Sequence, residues 1–357
     1  MAGGPFSARR LLLAVYGLLV VYATLHPIAG WRDPGASPFA FVFAGWPRHR
    51  TAFDLWANVA GYVPLGLLAA ASLHPRLRGA RALAVAVTGG AALSLALEAL
   101  QSFLPARIPS IADVAANVAG CALGALAGLR LGPALDAGAV ARWRARWLDP
   151  QALPPVGLAL LGLWFLSQLN PATLLFGAGD LRDLFAVPAP RAHGAEFFVA
   201  LEATVAAANL AAFGLMVSAM LVPGAPARRI VFALVVAALA ARTGAFAILM
   251  EAQKVFAWAT PGALAGLVTG ALAFAALAAA ARTARLAAAA VLSMAATVLV
   301  NLAPPNPYTA DMLRVWEQGH FLNFNGLTRL VSALWPFAAV AWLIVLAARR
   351  ERAGPPG

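Results

Sequence analysis

Three consecutive segments, FDLWANVAGYVPLGLL (residues 53–68), LSLALEALQSFLPARIPS (93–110) and IADVAANVAGCALGALAG (111–128), decide the fold. Each contains an apolar run of the kind that crosses a membrane as a helix, with carboxylates and carboxamides near one end. Such groups are costly in hydrocarbon unless they meet one another or water. We therefore predict that three membrane helices bring their polar ends together.

Composition supports the membrane interpretation for the whole chain. Of 357 residues, 62% are hydrophobic and 11% are charged, and the mean hydropathy is +0.79, which is far too apolar for a soluble domain. The predicted fold class is therefore an all-α, polytopic integral membrane bundle. The net charge of +12 comes mainly from arginines that punctuate the apolar runs, so membrane orientation explains it better than nucleic-acid binding, and we expect no nucleic-acid partner. The single cysteine, Cys121, cannot form an intrachain disulfide.

Ten apolar runs are long enough to cross the hydrocarbon. The first follows Arg9 and Arg10 and has no small-x-small cleavage site behind it, so we interpret it as an uncleaved span. The predicted spans are residues 11–25, 52–73, 82–104, 111–131, 153–170, 197–222, 229–250, 260–281, 284–303 and 330–348.

Arginine placement predicts the orientation. If the N-terminus is cytoplasmic, the inner segments hold sixteen arginines and the outer segments hold eight. The positive-inside rule therefore favours an inner (plasma) membrane protein with both termini in the cytoplasm. The basic, aromatic stretch RWRARW (142–147) is expected along the inner headgroups.

With this orientation, the polar groups of the three segments meet at the outer end, together with an arginine from the short connection PARIPSIA. We call the following seven residues the polar cluster: Asp54, Asn58, Glu98, Gln101, Arg107, Asp113 and Asn117. Within each helix the two polar residues are three or four positions apart and share one face.

Two further features belong to the polar cluster. Ser94 extends the Glu98 face one turn deeper, and Gly120, Gly124 and Gly128 form a small-residue stripe that would let another helix approach closely. Arg107 is the natural counter-charge for carboxylates that would otherwise repel each other. The cluster then either orients the three helices through mutual contacts or forms a solvent-facing site for a polar headgroup.

These residues resemble a known family. The stretches NVAGYVPLG (58–66) and DVAANVAG (113–120), together with Glu98, Gln101 and Arg107, are similar to the VanZ-like family over about residues 50–131. Its name comes from a member associated with low-level resistance to teicoplanin, so the resemblance implies a role in the cell envelope or antibiotic sensitivity. The resemblance indicates which residues form a site, but it does not indicate a reaction. The basic and histidine residues expected ahead of Asp54 are present only loosely, as Arg48, His49 and Arg50.

The second half echoes the first. Asn209 parallels Asn58 and Glu251 parallels Glu98, with similar intervals of 40 and 42 residues between the asparagine and the glutamate. A glycine stripe recurs at residues 262, 266 and 270, which favours a parallel tandem duplication of a four-helix unit. The predicted domains are residues 1–150, a degenerate second unit at 151–283, and two C-terminal helices with a long outer loop at 284–357. Polar residues of the second half include Glu202, Asn209, Glu251, Gln253 and Lys254. No residue there corresponds to Arg107, Asp113 or Asn117.

Two long outer loops, residues 171–196 and 304–329, are also of interest. The second loop has two interpretations. Its polar residues His320, Asn323 and Asn325 could cap the polar cluster, and its aromatic residues Trp316, Phe321 and Phe324 could lie at the membrane–water interface as part of an aromatic belt. The histidine spacing matches no zinc motif, and we expect no metal or cofactor.

The leading hypothesis is a binding protein whose outer-facing polar cluster holds an amphipathic envelope molecule, either a lipid-linked precursor or a glycopeptide headgroup. Membrane lipids or such a precursor are the expected partners. A transporter or lipid scramblase is one alternative. Another is a carboxylate-dependent intramembrane enzyme acting on a lipid-linked sugar or phosphate, with Glu98 or Asp113 as general base. The chain has no Walker motif, dinucleotide loop or nucleophile elbow, so we favour binding over catalysis.

Overall fold

The computed structural model describes residues 8–46, 52–137, 139–182, 193–249, 254–307 and 322–353. Within these ranges the chain forms helices and no strand, which confirms the all-α prediction. The chain divides into two compact units, residues 1–146 and 147–357.

Eleven α-helices are found in the described ranges. They are α1 (Ala8–Leu25), α2 (Ala52–Leu73), α3 (Gly79–Gln101), α4 (Ile111–Ala137), α5 (Ala139–Trp147), α6 (Pro154–Gln168), α7 (Ala195–Met220), α8 (Ala227–Leu249), α9 (Pro261–Leu277), α10 (Arg282–Leu302) and α11 (Leu322–Ala353). Short 3-10 turns occur at Ala40–Val42 and Pro150–Ala152.

Every predicted span coincides with a helix. In the described part of the chain, eight helices are long and apolar enough to cross a membrane, which supports a multi-pass membrane protein. The remaining two, α6 and α9, are apolar but have 15 and 17 residues. At 1.5 Å per residue, α6 extends about 22 Å, which is shorter than the roughly 30 Å hydrocarbon core.

In the first unit, α1 to α4 run alternately up and down. Arg9 Nη1 donates to the carbonyl of Ala71 (2.7 Å) and Tyr16 Oη to that of Gly61 (2.8 Å), so α1 lies antiparallel to α2. The buried core between these helices includes Val20, Leu65 and Leu97. The polar ends of α2, α3 and α4 consequently lie at the same end of the unit, near the end of α1.

The glycine stripe on α4 packs directly against the backbone of α2. A Cβ added to Gly120, Gly124 or Gly128 would overlap the carbonyls of Val59, Val63 and Leu67, respectively. Residue numbers rise together along both helices, so α2 and α4 are parallel. The predicted close approach is thus made to α2, and it brings two backbones together as glycine stripes do in membrane helices.

The second unit is built around α7, which contacts α8, α9 and α10 and is buried along most of its second half. Its Phe213 stacks on Trp164 of α6 with ring centroids 3.6 Å apart, and Trp164 also stacks on Phe176. Trp335 of α11 donates its Nε1–H to the carbonyl of Leu160 (2.8 Å). Aromatic packing therefore joins α6 to α7, while the indole hydrogen bond ties α11 to α6.

In the second unit, too, a glycine stripe of one helix packs against the backbone of another. Cβ atoms on Gly262, Gly266 and Gly270 of α9 would press on the carbonyls of Val199, Ala203 and Ala207 of α7. Val199 therefore occupies the position that Val59 has in the first unit, an offset of 199 − 59 = 140 residues. The sequence echo of Asn58 and Asn209 uses a different offset, 209 − 58 = 151 residues, so backbone packing and sequence echo give different registers.

Some predicted features lie outside the described residues. They are Arg48, His49, Arg50, Glu251, Gln253, Trp316, His320 and Phe321. Asn323 is described only as part of α11.

Candidate functional site

The polar cluster is organised by the short connection between α3 and α4, residues 102–110. Ser110 caps the start of α4, because its Oγ accepts the backbone N–H of Ala112 (3.2 Å). A serine at this position satisfies one of the backbone donors that a helix leaves unpaired at its N-terminus. This cap fixes where α4 begins relative to the end of α3.

Glu98 ties the end of α3 to the start of α4. Its side chain is 3% exposed, and its Oε2 accepts the backbone N–H of Ser110 (2.8 Å). A carboxylate there is favoured by the positive end of the α4 dipole. Glu98 is therefore held in place by the backbone of the next helix.

Two carboxamides of the polar cluster also bond within the protein. Gln101 donates its Nε2–H to the carbonyl of Thr24 (2.9 Å), which ties α3 to the last turn of α1. Asn117 donates its Nδ2–H to Ser94 Oγ (3.0 Å), and both of these residues are buried. These bonds serve helix orientation, one of the two roles considered for the cluster.

Arg107 differs from these residues because it is only half-buried. Its Nη2 donates to the carbonyl of His26, just after α1, and its backbone N–H donates to Leu104 (3.0 Å). Burial lowers the pKa of Arg107, and the nearby Glu98 carboxylate raises it by a smaller amount. The guanidinium stays protonated, so it brings a fixed positive charge to the mouth of a carboxylate-rich region.

The other three cluster residues lie near the starts of their helices, Asp54 and Asp113 in the first turn and Asn58 in the second. Asp54 and Asn58 are half-buried on α2, whereas Asp113 is 8% exposed on α4. A carboxylate in a first helical turn is stabilised by the helix dipole. All seven cluster residues thus lie at one end of the first unit: Glu98, Gln101, Asp113 and Asn117 are buried, and Asp54, Asn58 and Arg107 reach its surface.

The segment between α1 and α2 is part of this site, although the sequence reasoning did not assign it there. The Arg32 backbone N–H donates to the carbonyl of Phe103 (2.9 Å), and Ser102 Oγ donates to that of Pro38 (3.0 Å). These bonds join the two connections at this end of the unit. No motif marked the segment, but its aromatic content was a signal.

Large apolar side chains are exposed at the same end of the first unit as the polar cluster. Phe43 and Trp46 in the first connection, Ile108 in the second and Trp56 on α2 are all exposed, with Phe43 at 89% and Ile108 at 84%. Exposed apolar side chains of this size mark an interaction surface or a membrane interface. The end of the unit therefore has a polar centre and an apolar rim, the pattern that suits an amphipathic ligand.

The chemistry available here is charge pairing and hydrogen bonding. Carboxylates accept from hydroxyl and amine groups, and an arginine fork matches a phosphate or carboxylate. In the described ranges, no group of three or more His, Cys, Asp or Glu residues is arranged to hold a metal ion.

The second unit holds a buried arginine that the sequence reasoning left unassigned. Arg242 of α8 is 2% exposed and donates to the carbonyls of Gln168, Asn170 and Thr173, just beyond α6. Its guanidinium also lies over the ring of Phe246, 5.6 Å from the centroid. The signal was an arginine well inside an apolar run, where ionisable residues are rare and mark function or buried structure.

The structure shows contacts for some of the residues that were of interest in the two long loops. In the loop 171–196, Asp180 pairs with Arg182 at 2.6 Å. Burial raises the pKa of Asp180, but the hydrogen bonds and charge of Arg182 outweigh this effect and lower it below its ordinary value. Phe324, expected as an interface aromatic, packs instead in a cluster with Phe246 and Trp258.

Comparison with known proteins supports the family resemblance for part of the chain. Residues 11–131, about a third of the sequence, match the family model described as VanZ/LLP1. The match confirms the predicted VanZ-like segment and extends it from about residue 50 back to α1. It covers all seven residues of the polar cluster. Neither the curated proteins nor the solved structures gave a match to the chain.

Proposed function

Starting from a VanZ-like membrane segment at residues 11–131, we propose that this protein binds the headgroup of an amphipathic envelope molecule at the polar cluster. The ligand is a lipid-linked envelope precursor or a glycopeptide headgroup. Binding alters the envelope or its sensitivity to glycopeptides such as teicoplanin.

The observation that carries the proposal is the placement of Arg107. Its guanidinium is half-buried beside the Glu98 carboxylate and held by the carbonyl of His26. A half-buried arginine loses less of its rotational freedom on binding than a fully solvated one, and its fork recognises phosphate or carboxylate groups. Arg107 therefore binds the anionic part of the headgroup.

The remaining residues divide into a frame and a contact surface. The buried Glu98, Gln101, Asp113 and Asn117 form the frame that positions α1, α3 and α4. The half-buried Asp54 and Asn58 face the ligand beside Arg107, and the apolar rim holds its acyl part. Polar groups inside an apolar surround are the usual composition of ligand sites.

We further propose that the polar cluster faces outward from the inner (plasma) membrane, with both termini in the cytoplasm. The excess of arginines in the opposite connections supports this orientation. A single cysteine at Ile108, which is 84% exposed, would be labelled in intact cells by a membrane-impermeant maleimide. The native Cys121 is buried and adds little background. Labelling only after permeabilisation would place the cluster inside.

The binding proposal is tested by mass spectrometry of lipids that co-purify with the protein. Wild type should retain an envelope lipid with an anionic headgroup, and Arg107→Ala should reduce the retained amount about tenfold or more. That factor corresponds to the loss of one charge-assisted hydrogen bond, about 1.5–3 kcal/mol. Arg229→Ala is the control, because this exposed arginine lies on α8 of the second unit, outside the polar cluster, and should change nothing.

Arg107→Lys separates binding from folding, since it keeps the charge but not the fork. Partial retention by Arg107→Lys, with thermal stability equal to wild type, supports recognition by the arginine. Equal lipid content in wild type and Arg107→Ala contradicts the proposal. A parallel titration with teicoplanin decides whether the glycopeptide or the lipid is the ligand.

A second candidate function, transport or lipid scrambling, is favoured by the second unit. The short α6 is followed by non-helical backbone in which Leu175, Phe176 and Ala178 are each 3% exposed or less. Irregular backbone inside a membrane protein is typical of re-entrant loops and broken transporter helices. Exchange of a fluorescent lipid between vesicle leaflets only in the presence of the protein would establish this activity, and its loss in Arg242→Ala would locate it.

A further inference from the structure

The turn between α2 and α3, at the opposite end of the first unit from the polar cluster, is strongly basic. Arg76, Arg78 and Arg81 all line one open cavity of about 500 Å³ at this turn. From Asp54 to Leu73, α2 rises about 28 Å, close to the thickness of the hydrocarbon core. The basic turn therefore lies near the other membrane interface.

These arginines are not committed to partners inside the protein. Among the residues that the structure describes, neither Arg76 nor Arg81 has a hydrogen bond or an ion pair, and Arg78 donates only its Nε–H, to the carbonyl of Pro75 at 3.3 Å. None of the described residues lining the cavity is acidic. Three arginines thus line one concavity that no acidic residue of the described chain lines, an arrangement that favours a phosphate.

A second cavity adjoins the first and is mainly apolar. It measures about 230 Å³, shares Leu77 and Arg78 with the basic cavity, and is also lined by Ala70, Gly128 and Leu129. It lies where the end of α2 meets α4. A molecule with a phosphate headgroup and an acyl chain would match the basic cavity with one part and the apolar cavity with the other.

We propose that the basic turn of residues 75–81 and the adjoining cleft against α4 form a binding site for an anionic glycerophospholipid. The three arginines bind the headgroup phosphate, and the cleft lined by Leu77 and Leu129 receives the first part of an acyl chain. Basic pockets between membrane helices on the cytoplasmic side are known to hold such headgroups. This site is separate from the polar cluster and does not depend on the function proposed for it.

Native mass spectrometry of the full chain in a neutral detergent tests the site. The protein is titrated with phosphatidylglycerol and, separately, with zwitterionic phosphatidylcholine. A surface arginine contributes about fivefold to binding of an anionic lipid, so the triple variant Arg76→Gln, Arg78→Gln, Arg81→Gln should lose roughly a hundredfold in affinity for phosphatidylglycerol. Affinity for phosphatidylcholine should stay within about twofold.

A matched triple variant, Arg142→Gln, Arg144→Gln, Arg146→Gln, removes the same charge from α5, the stretch expected along the inner headgroups, and should lose far less affinity, no more than about fivefold. In an Arg107→Ala background the basic-turn substitutions should cause the same roughly hundredfold loss as in wild type, which separates this site from the polar cluster. Glycerol 3-phosphate distinguishes a lipid from a free phosphate ester. If it binds as tightly as phosphatidylglycerol, the cleft contributes nothing and the lipid assignment is overturned. Equal loss of affinity in both triple variants would show that net charge alone acts, which also overturns the site.

Discussion

Replacing Gly124 with alanine probes the packing on which the first unit depends. A Cβ at this position would lie 2.7 Å from the carbonyl carbon of Val63 and 2.9 Å from the backbone nitrogen of Leu67. Both are backbone atoms of α2, so no side-chain rotation can relieve the overlap. The two helices would have to move apart for the alanine to fit.

The cost can be worked from these distances. Ordinary van der Waals contact begins near 3.4 Å and the Val63 carbonyl oxygen lies closer still than its carbon, so α2 and α4 must separate locally by at least 3.4 − 2.7 = 0.7 Å. A gap of about 0.5–1 Å forfeits a quarter to a half of each dispersion contact, and overpacking of this kind costs about 1–3 kcal/mol. The alanine itself returns about 0.5–1 kcal/mol, because glycine is unfavourable inside a helix. Gly124→Ala should therefore be destabilising by up to about 2 kcal/mol.

Gly61→Ala is the matched control on α2, because a Cβ there has no heavy atom within 4 Å. It should be neutral or stabilise by about 0.5–1 kcal/mol, so the two variants differ by the strain alone, about 1–3 kcal/mol. The free energy of unfolding, measured by SDS titration of the purified protein in lipid-detergent micelles, gives both values. Equal stabilities for Gly124→Ala and Gly61→Ala would refute backbone contact between α2 and α4.

Three other perturbations test separate parts of the structure. Gly90→Ala should destabilise by up to about 2 kcal/mol, because overlap of its Cβ with Cys121 Sγ costs about 1–3 kcal/mol and replacing a helical glycine recovers about 0.5–1 kcal/mol; adding Cys121→Ala should relieve part of the overlap, giving a coupling energy of at least about 0.5 kcal/mol in a double-mutant cycle. Arg242→Leu should cost more than about 2 kcal/mol in unfolding free energy, because buried carbonyls beyond α6 lose their donor. Asp180→Asn should lower stability near neutral pH, where the ionised carboxylate pairs with Arg182, and the difference from wild type should vanish under acid.

Each of these predictions has a control or a contradicting result. Gly89→Ala adds a methyl group next to Gly90 but into open space, so it should not destabilise. Arg229→Ala removes an exposed arginine from α8 and should change stability by less than about 0.5 kcal/mol. For Asp180, the folded-state pKa is depressed. The stability that the ionised Asp180 contributes is therefore fully present above the ordinary carboxyl pKa of about 3.9. It is lost as the pH falls through the lower pKa that Asp180 has in the folded protein. A stability difference that persists below that window would show that the ion pair is not the cause.

Much of the fold followed from local sequence properties. Helix length and apolar composition depend on the residues of each segment alone, so the ten apolar helices could be located from the chain, eight of them long enough to cross a membrane and two, α6 and α9, shorter. The stripe at Gly120, Gly124 and Gly128 could be recognised as a packing face for the same reason. Its partner, α2, could not, because several helices offered a surface to it.

The polar cluster shows where local information ends. Sequence spacing placed Glu98 with Gln101, and Asp113 with Asn117, on shared helix faces, but it did not reveal that Glu98 bonds to the backbone of Ser110. Sequence spacing also did not identify the hydrogen-bond partner of Gln101, which is the carbonyl of Thr24, 77 positions away in the chain. Contacts of this kind depend on how whole helices pack.

By itself, the sequence determined an all-α, multi-pass membrane protein, the places of its apolar helices and the residue types that meet at one end of the VanZ-like segment. Hydrophobicity and helical period act within each segment, so they need no tertiary information. Only the tertiary structure decided which of those polar groups are buried within the protein and which, like Arg107, reach its surface. That division depends on the parallel contact of α2 with α4 and on the loop after α1, both of which bring together residues distant in the chain.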